Sequence, residues 1–271
     1  MLVCSLGDLL LDVVVRPSRT LVPGGDVPAE TRLSAGGQAA NVAAWVAALG
    51  GRARFVGMRA DDHAGRLTAA ALASLGVEVA GPLVGEGTGV VVSLVGPDGE
   101  RTMASSRGVA ADLRAAEIEG EWLVCDHLHV SGYALASEPM RAAAEHAILV
   151  AREHGAGISV DLTAATEIDA VGPAEFRVLL ERLAPDTVFC NEDEDRSIGG
   201  PLPGTMWIVK LGARGVSVDG AEHPPAPVEH VIDTTGAGDA FAAGWILGGL
   251  TLALEAAATC VAQVGAFPPA R

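Results

Sequence analysis

Val231-Ile-Asp-Thr-Thr-Gly-Ala-Gly-Asp-Ala-Phe241 is the stretch of this 271-residue chain that decides how the rest is read. A polar, glycine-bearing loop opens directly into small and apolar residues, a pattern that predicts a helix over about Ala240–Gln263. The first amides of a helix lack intrahelical acceptors and converge on one point. Such a loop therefore favours phosphate, and glycine lets the phosphate approach the backbone. Gly236, Ala237 and Gly238 would form the cradle, with Asp239 beside it in the first turn. Phosphoryl transfer to an alcohol needs positioning, charge stabilisation and a group that takes the hydroxyl proton. A carboxylate suffices, because the hydroxyl turns acidic only as it bonds to phosphorus. The competing reading is an Asp that only stabilises a helix N-terminus. Two other phosphate loops do not fit: the chain lacks Gly-x-x-x-x-Gly-Lys-Ser/Thr, and Gly236-Ala-Gly238 lacks the third glycine of the dinucleotide fingerprint.

Upstream of this loop, β and α patterns alternate. Strands are predicted at about Trp122–Val130, Gly157–Asp161, Thr187–Cys190, Trp207–Lys210 and Val216–Val218, with helices near Met140–Glu153 and Pro173–Leu183. Such alternation implies a mostly parallel sheet covered by helices, with ligands gathered at the carboxyl ends of the strands. An opening strand, about Leu2–Gly7, resumes as Asp12-Val-Val-Val15, and a Pro/Gly-rich loop follows. Val42, Trp45, Val46 and Leu49 recur at helical spacing within a helix over Gln38–Leu49, and a second helix covers about Ala64–Leu75. Val90–Val95 and Arg101–Ser105 flank Gly96-Pro-Asp-Gly99, which reads as a hairpin.

Composition narrows the classes. Hydrophobic residues make up 49% of the chain, enough for one large core, and aromatics only 4%, so that core must be built from Ala, Val and Leu. A formal net charge of −16 argues against a nucleic-acid or anionic membrane surface, although local amides can still hold a nucleotide. Asp8 and Asp12 interrupt the apolar N-terminus, which lacks a basic flank and reads as a buried strand rather than a signal peptide. No uninterrupted apolar run reaches the roughly 18 residues of a spanning helix. Four scattered cysteines without a Cys-x-x-Cys pair suit reduced thiols in the cytoplasm.

Asp233-Thr-Thr-Gly-Ala-Gly-Asp-Ala-Phe241 closely resembles the C-terminal signature of the ribokinase-like (PfkB) carbohydrate kinases, and Ala35-Gly-Gly-Gln-Ala-Ala-Asn-Val-Ala43 resembles their N-terminal one. The match in order and spacing runs from Gly7 to about Gly265. The resemblance implies a single three-layer α/β/α domain over 1–271, with a small β-strand lid contributed by about 13–35 and 86–107. It also implies ATP-dependent phosphorylation of a hydroxyl on a small sugar or sugar-like acceptor. Asp239 would be the base, and the 236–238 amides the anion hole. A lid would keep water from competing as acceptor.

On the acceptor side, Asp12 lies in an otherwise apolar strand, where a carboxylate needs partners that vicinal sugar hydroxyls would supply. A turn Asp at a strand end is the alternative. Asn41 and Gln38 share a face of their helix, which ordinary helix-start polarity would also explain. The resemblance places Asp12, Gly36, Gly37, Gln38 and Asn41 against the acceptor; Gln38 stands where ribokinase itself tends to carry Lys. Arg107 follows the hairpin, either to meet an anionic substituent or as a solvated arginine.

On the nucleotide side, Asn191 and Glu194 match the family's N-x-x-E, with Glu194 holding Mg²⁺ through water. Lys210, Gly212 and Gly215 match a T/K-L-G-x-x-G segment beside ATP, although a Gly-bearing β-turn explains the glycines equally well. Backbone oxygens near Asp233 and Thr235 would hold a monovalent cation such as K⁺. Cys125, His127 and His129 alternate along one strand face, yet no fourth ligand accompanies them, so zinc is set aside. Of the family's D-x-N-x-R only Asp161 remains, and the chain after Cys260 is short. Competing functions are a nucleoside kinase on the same scaffold and a non-catalytic sugar-binding regulator, which would have lost the base or the anion loop. Exposed lid edges suit a homodimer.

Overall fold

The computed structural model describes residues 1–96 and 101–269, with Arg101 described in its backbone alone. In chain order, the first half holds β1 (Leu2–Leu6), β2 (Leu10–Pro17), β3 (Ala29–Gly36), α1 (Gln38–Ala48), β4 (Arg52–Val56), β5 (Arg59–Ala60), α2 (His63–Ser74), β6 (Glu78–Ala80), β7 (Leu83–Val84), β8 (Thr88–Val95) and β9 (Arg101–Gly108). The second half holds β10 (His127–Ser131), α3 (Tyr133–Ala136), α4 (Met140–Glu153), β11 (Gly157–Asp161), α5 (Ala165–Val171), α6 (Pro173–Leu183), β12 (Thr187–Asn191) and α7 (Glu192–Ile198). It closes with β13 (Met206–Lys210), β14 (Val216–Val218), β15 (Ala221–His223) and α8 (Ala237–Val261).

Nine strands form the main sheet in the order β15-β14-β13-β12-β11-β10-β1-β4-β6. Every pair from β13 across to β6 is parallel, while β14 and β15 run antiparallel at one edge. Strand alternation divides the core into two layers. Cys4, Leu6, Val130 and Val160 pack with Met140, Ile148 and Phe176 on one face. Val3, Phe55, Phe189 and Ile208 pack with α1 and α8 on the other. In α1, Ala39, Ala40, Ala43 and Ala44 are all buried, so alanines bring the helix close to the sheet as the scarcity of aromatics requires. Phe189 meets Phe241 edge-on, and Phe241 stacks on Trp245 at 6.2 Å. A second sheet, β3-β2-β8-β9, takes in the Val90–Val95 and Arg101–Ser105 segments; the turn between them lies partly outside the described residues.

Two elements differ from expectation. The apolar run from Trp122 is not a single strand: Gly120–Leu123 is a 3₁₀ turn, and the strand begins only at His127. Apolar content without a clear period cannot separate the two. The last helix starts at Ala237, three residues earlier than expected, and is broken at Gly249, whose φ of 75° and ψ of −161° are not helical. Its halves fold together so closely that a Cβ on Gly244 would sit 2.6 Å from the Cα of Ala253. By length and composition this helix could cross a membrane. The break divides it into two short halves, and its first half packs in the core.

Asp62 caps α2, accepting from Gly65 N at 2.7 Å, and also accepts from Gly87 N, Thr88 N and Thr88 Oγ1 at 3.0, 2.9 and 2.6 Å. One carboxylate thus ties α2 to the root of the smaller sheet, and the bonds from Thr88 and Gly65 hold its pKa far below the usual range. Asp62→Ala is expected to cost about 1–2 kcal/mol, the upper part of the range for an N-cap. Urea unfolding measures it, and an unchanged midpoint would refute the role.

Candidate active site

The first turn of α8 lies on the α1 face of the sheet, at the carboxyl ends of β11 and β13. Gly236, the residue before α8, adopts φ 78°, in the left-handed region. A Cβ there would meet Ala266 at 2.5 Å, so the short C-terminal segment packs directly beneath the turn. That segment is itself braced by Trp45, whose Nε1 donates to the Ala266 carbonyl at 2.8 Å. Asp233, 6% exposed, closes the loop: its carboxylate accepts from Thr235 N, Thr235 Oγ1 and Gly265 N at 2.8, 2.7 and 3.0 Å. The Thr235 carbonyl accepts the Cys260 thiol at 3.3 Å.

Asp239 is half-buried, and Asn41 Nδ2 donates to its Oδ2 at 2.7 Å. Its pKa is pushed up to about 7, chiefly by burial. The Asp161 charge contributes to that rise, while the Asn41 bond and the Lys210 charge oppose it. Asn41 is 6% exposed, and its Oδ1 has no hydrogen-bond partner. Lys210 Nζ donates to both oxygens of the buried Asp161, at 2.6 and 2.8 Å. It also lies 3.0 Å from where a Cβ on Gly238 would be. Burial lowers the Lys210 pKa, but Asp161 and Glu194 outweigh that and lift it to about 12.

Asn191 and Glu194 form a capping box on α7. Asn191 Oδ1 accepts from the amides of Asp193 and Glu194, and the Glu194 carboxylate accepts from Asn191 N and Nδ2 at 2.9 and 2.7 Å. Glu194 is buried, which pushes its pKa up to about 7, and it feels both Lys210 and Asp161. Gly212 and Gly215 bound a single 3₁₀ turn between β13 and β14. Gly215 is demanded by β15, since a Cβ would lie 2.1 Å from the His223 carbonyl, whereas Gly212 faces open space.

Near enough for its charge to be felt by Asp239, Asp12 sits in β2 beside Gly36, where a Cβ would overlap its carboxylate. Burial pushes the Asp12 pKa up to about 6. Gly37 caps α1 with φ 103°, and its Cα lies against the Asp8 carbonyl. Gln38 is tied to the strand ends: Ser131 Oγ donates to its Oε1 at 2.5 Å, and its Nε2 reaches the Leu162 carbonyl at 3.3 Å. Arg107 is not solvated; its Nε and Nη2 donate to both oxygens of Asp8, at 2.7 and 2.8 Å. His127 and His129 share the hydroxyl of Ser159, at 2.8 and 2.9 Å.

Asp239, Asn41, Lys210, Asp161 and Glu194 thus form one connected cluster. Asp161 and Asp8 join this neighbourhood without being among the residues expected from the sequence; a carboxylate ending or following an apolar strand is the signal that marks them. A phosphate fits this geometry. The turn at Gly236–Gly238 opens α8 with a left-handed glycine, the Lys210 ammonium lies beside Gly238, and the buried carboxylate of Glu194 offers the oxygen donor that a divalent ion takes.

Comparisons with known proteins agree in kind. The chain matches the pfkB family carbohydrate kinase pattern over residues 1–267. It is 32% identical to an ATP-dependent ribose-1-phosphate kinase of Halopiger xanaduensis, covering 99% of this chain and 93% of that protein. It is also 32% identical to fructokinase-1 of Oryza sativa subsp. japonica, over 89% of this chain and 80% of that one. Among solved structures, an adenosine kinase from Sinorhizobium meliloti superposes with a TM-score of 0.86 at 24% identity, covering 98% and 95% of the two chains. A ribokinase II from E. coli, described as putative and solved with ATP and Mg²⁺, superposes with a TM-score of 0.81 at 25% identity, covering 97% and 94%.

Proposed function

The chain belongs to the pfkB family of carbohydrate kinases, and from that premise we propose that it phosphorylates a hydroxyl of a small sugar or sugar-like acceptor by direct in-line transfer from ATP. The observation that carries the reading is Asp239: a half-buried carboxylate in the first turn of α8, oriented by Asn41 at 2.7 Å and standing next to the Gly236–Gly238 turn. When bound, ATP with Mg²⁺ supplies the phosphoryl group.

Asp239 takes the proton as the acceptor oxygen bonds to phosphorus, and the amides of Gly236 and Gly238 face the negative charge of the transferring group, joined by that of Ala237 when it gives up its 3.3 Å bond to the Thr234 carbonyl. Asn41 fixes the base. Asp12 accepts hydroxyl donors of the sugar with Asn41 beside it, while Gly36 and Gly37 let the Asp12 carboxylate and the Asp8 carbonyl close against the start of α1. Gln38 braces this floor. Lys210, Gly212 and Gly215 line the nucleotide side, with Asn191 holding Glu194 toward the metal's water shell. The carbonyls of Asp233 and Thr235 are the proposed seat of a monovalent cation such as K⁺. The β3-β2-β8-β9 sheet acts as a lid that excludes water.

Turnover of ATP/Mg²⁺ against a panel of sugars and nucleosides tests the reading. A chain that phosphorylates none of them and is not thermally stabilised by ATP would overturn it. Because the free enzyme's base has a pKa near 7, kcat/KM is expected to fall as pH drops below about 7, with an acid limb at that value. Asn41→Ala removes a bond that favours the charged form, so the limb should move to higher pH. A limb near pH 4 in both proteins would exclude Asp239 as the titrating group.

A further inference from the structure

The acceptor side of the cleft contains a charge pair that the transfer reaction does not use. Arg107 is the last but one residue of β9, and strand alternation puts its side chain on the same face of the small sheet as Asp12. From Asp12 this face passes to Val91 and Ser105 through direct cross-strand pairs, and Arg107 lies two residues beyond Ser105. Asp8 follows β1, 5% exposed, with its carbonyl against Gly37 at the start of α1. The guanidinium meets both Asp8 oxygens, and its Nη2 also touches Met140 Sδ at 3.0 Å.

Resting on the kinase reading above, we propose that Asp8 is a specificity-determining residue: by occupying Arg107 it makes the pocket select uncharged sugars and polyols over sugar phosphates and sugar acids.

The argument is electrostatic. A bidentate carboxylate satisfies the fork of an arginine and cancels its charge, so an incoming anion would have to displace Asp8 from a buried site. With that pair neutral, the carboxylates of Asp12 and Asp239 leave the acceptor side with an excess of negative charge, which repels anions and suits hydroxyl donors. Two other arginines with described side chains on this face of the small sheet are placed away from Asp8. Arg32 Nη1 donates to the Val264 carbonyl, next to the segment beneath the anion turn, and Arg16 lies near the far end of β2. Both relatives compared above carry this distinction in their names, since one is named for a sugar phosphate and the other for a free sugar.

The test compares D-fructose and D-ribose with D-ribose 1-phosphate and D-gluconate, by kcat/KM and by thermal shift without nucleotide. The wild type should favour the neutral pair by at least tenfold. Asp8→Asn, which keeps the shape and frees the guanidinium, should raise the anion-to-neutral ratio at least tenfold and make the anions stabilising. In Asp8→Asn/Arg107→Gln, which keeps shape without either charge, that gain should vanish, and Asp8→Ser, which also leaves the guanidinium without its carboxylate, replaces the single variant if Asp8→Asn does not fold. A wild type that prefers either anion, or an Asp8→Asn protein whose ratio is unchanged, overturns the proposal. If none of the wider panel is phosphorylated and ATP does not stabilise the chain, the kinase reading fails on its own, and the thermal-shift ratios still decide the role of Asp8.

Discussion

Asp239→Asn is expected to lower kcat by about a thousandfold, within the 10²–10⁴ range that removal of a positioned general base produces. The substitution keeps the shape of the side chain, and its oxygen can still accept from Asn41 Nδ2, so the geometry of the turn should survive. Nucleotide binding, read as an ATP-dependent rise in Tm, should persist. The same variant should also be more stable than the wild type at pH 8. A carboxyl whose folded pKa is about 7, against about 3.9 when unfolded, binds its proton more tightly in the native state. Its ionisation therefore opposes folding increasingly as pH rises from about 4 through 7. Removing the charge should return roughly 1–2 kcal/mol once screening in the open cleft is allowed for. A protein that is inactive yet more stable at pH 8, with the difference shrinking toward pH 4, is the expected result. Undiminished turnover in Asp239→Asn would remove the mechanistic assignment.

Lys210→Met should carry the largest cost in stability. It leaves Asp161, whose side chain is 1% exposed, without the ammonium that meets both of its oxygens. Breaking one side of a buried pair typically costs about 3–5 kcal/mol, and for a chain of this size that corresponds to a Tm lowered by roughly 10 °C. Asp161 would respond by holding a proton, so the loss should be smaller in acid than at pH 8. Asp161→Asn in the same chain removes the stranded charge and is expected to restore most of the stability. Thermal unfolding of the two single variants and the double variant closes the cycle. If Asp161→Asn deepens the loss caused by Lys210→Met, the pair is not the origin of the cost.

Parts of this site were legible because they are local. The Asp233–Phe241 stretch displays its glycines, its helix start and its carboxylate within nine residues, and the chemistry of a phosphate cradle needs only those neighbours. The N-x-x-E at Asn191 and Glu194 is legible in a second sense: it is a capping box, so it also marks the start of α7 within what looks like a solvated acidic run. The 3₁₀ turn at Gly120–Leu123 and the break at Gly249 were not legible, because an apolar run keeps its composition whichever backbone it adopts.

The order of strands and helices, the alanine-built core and the residues that can handle phosphate all follow from this amino-acid sequence, since each depends on periodicity and composition over a few turns. Only the tertiary structure decided that Asn41 meets Asp239 across 198 positions, that Lys210 engages Asp161, and that Arg107 is held by Asp8 rather than by solvent. The reason is physical. A charge in a sequence has no fixed strength, and its pKa, partner and availability to a substrate are set by burial and by groups that parallel crossovers bring together from distant parts of the chain.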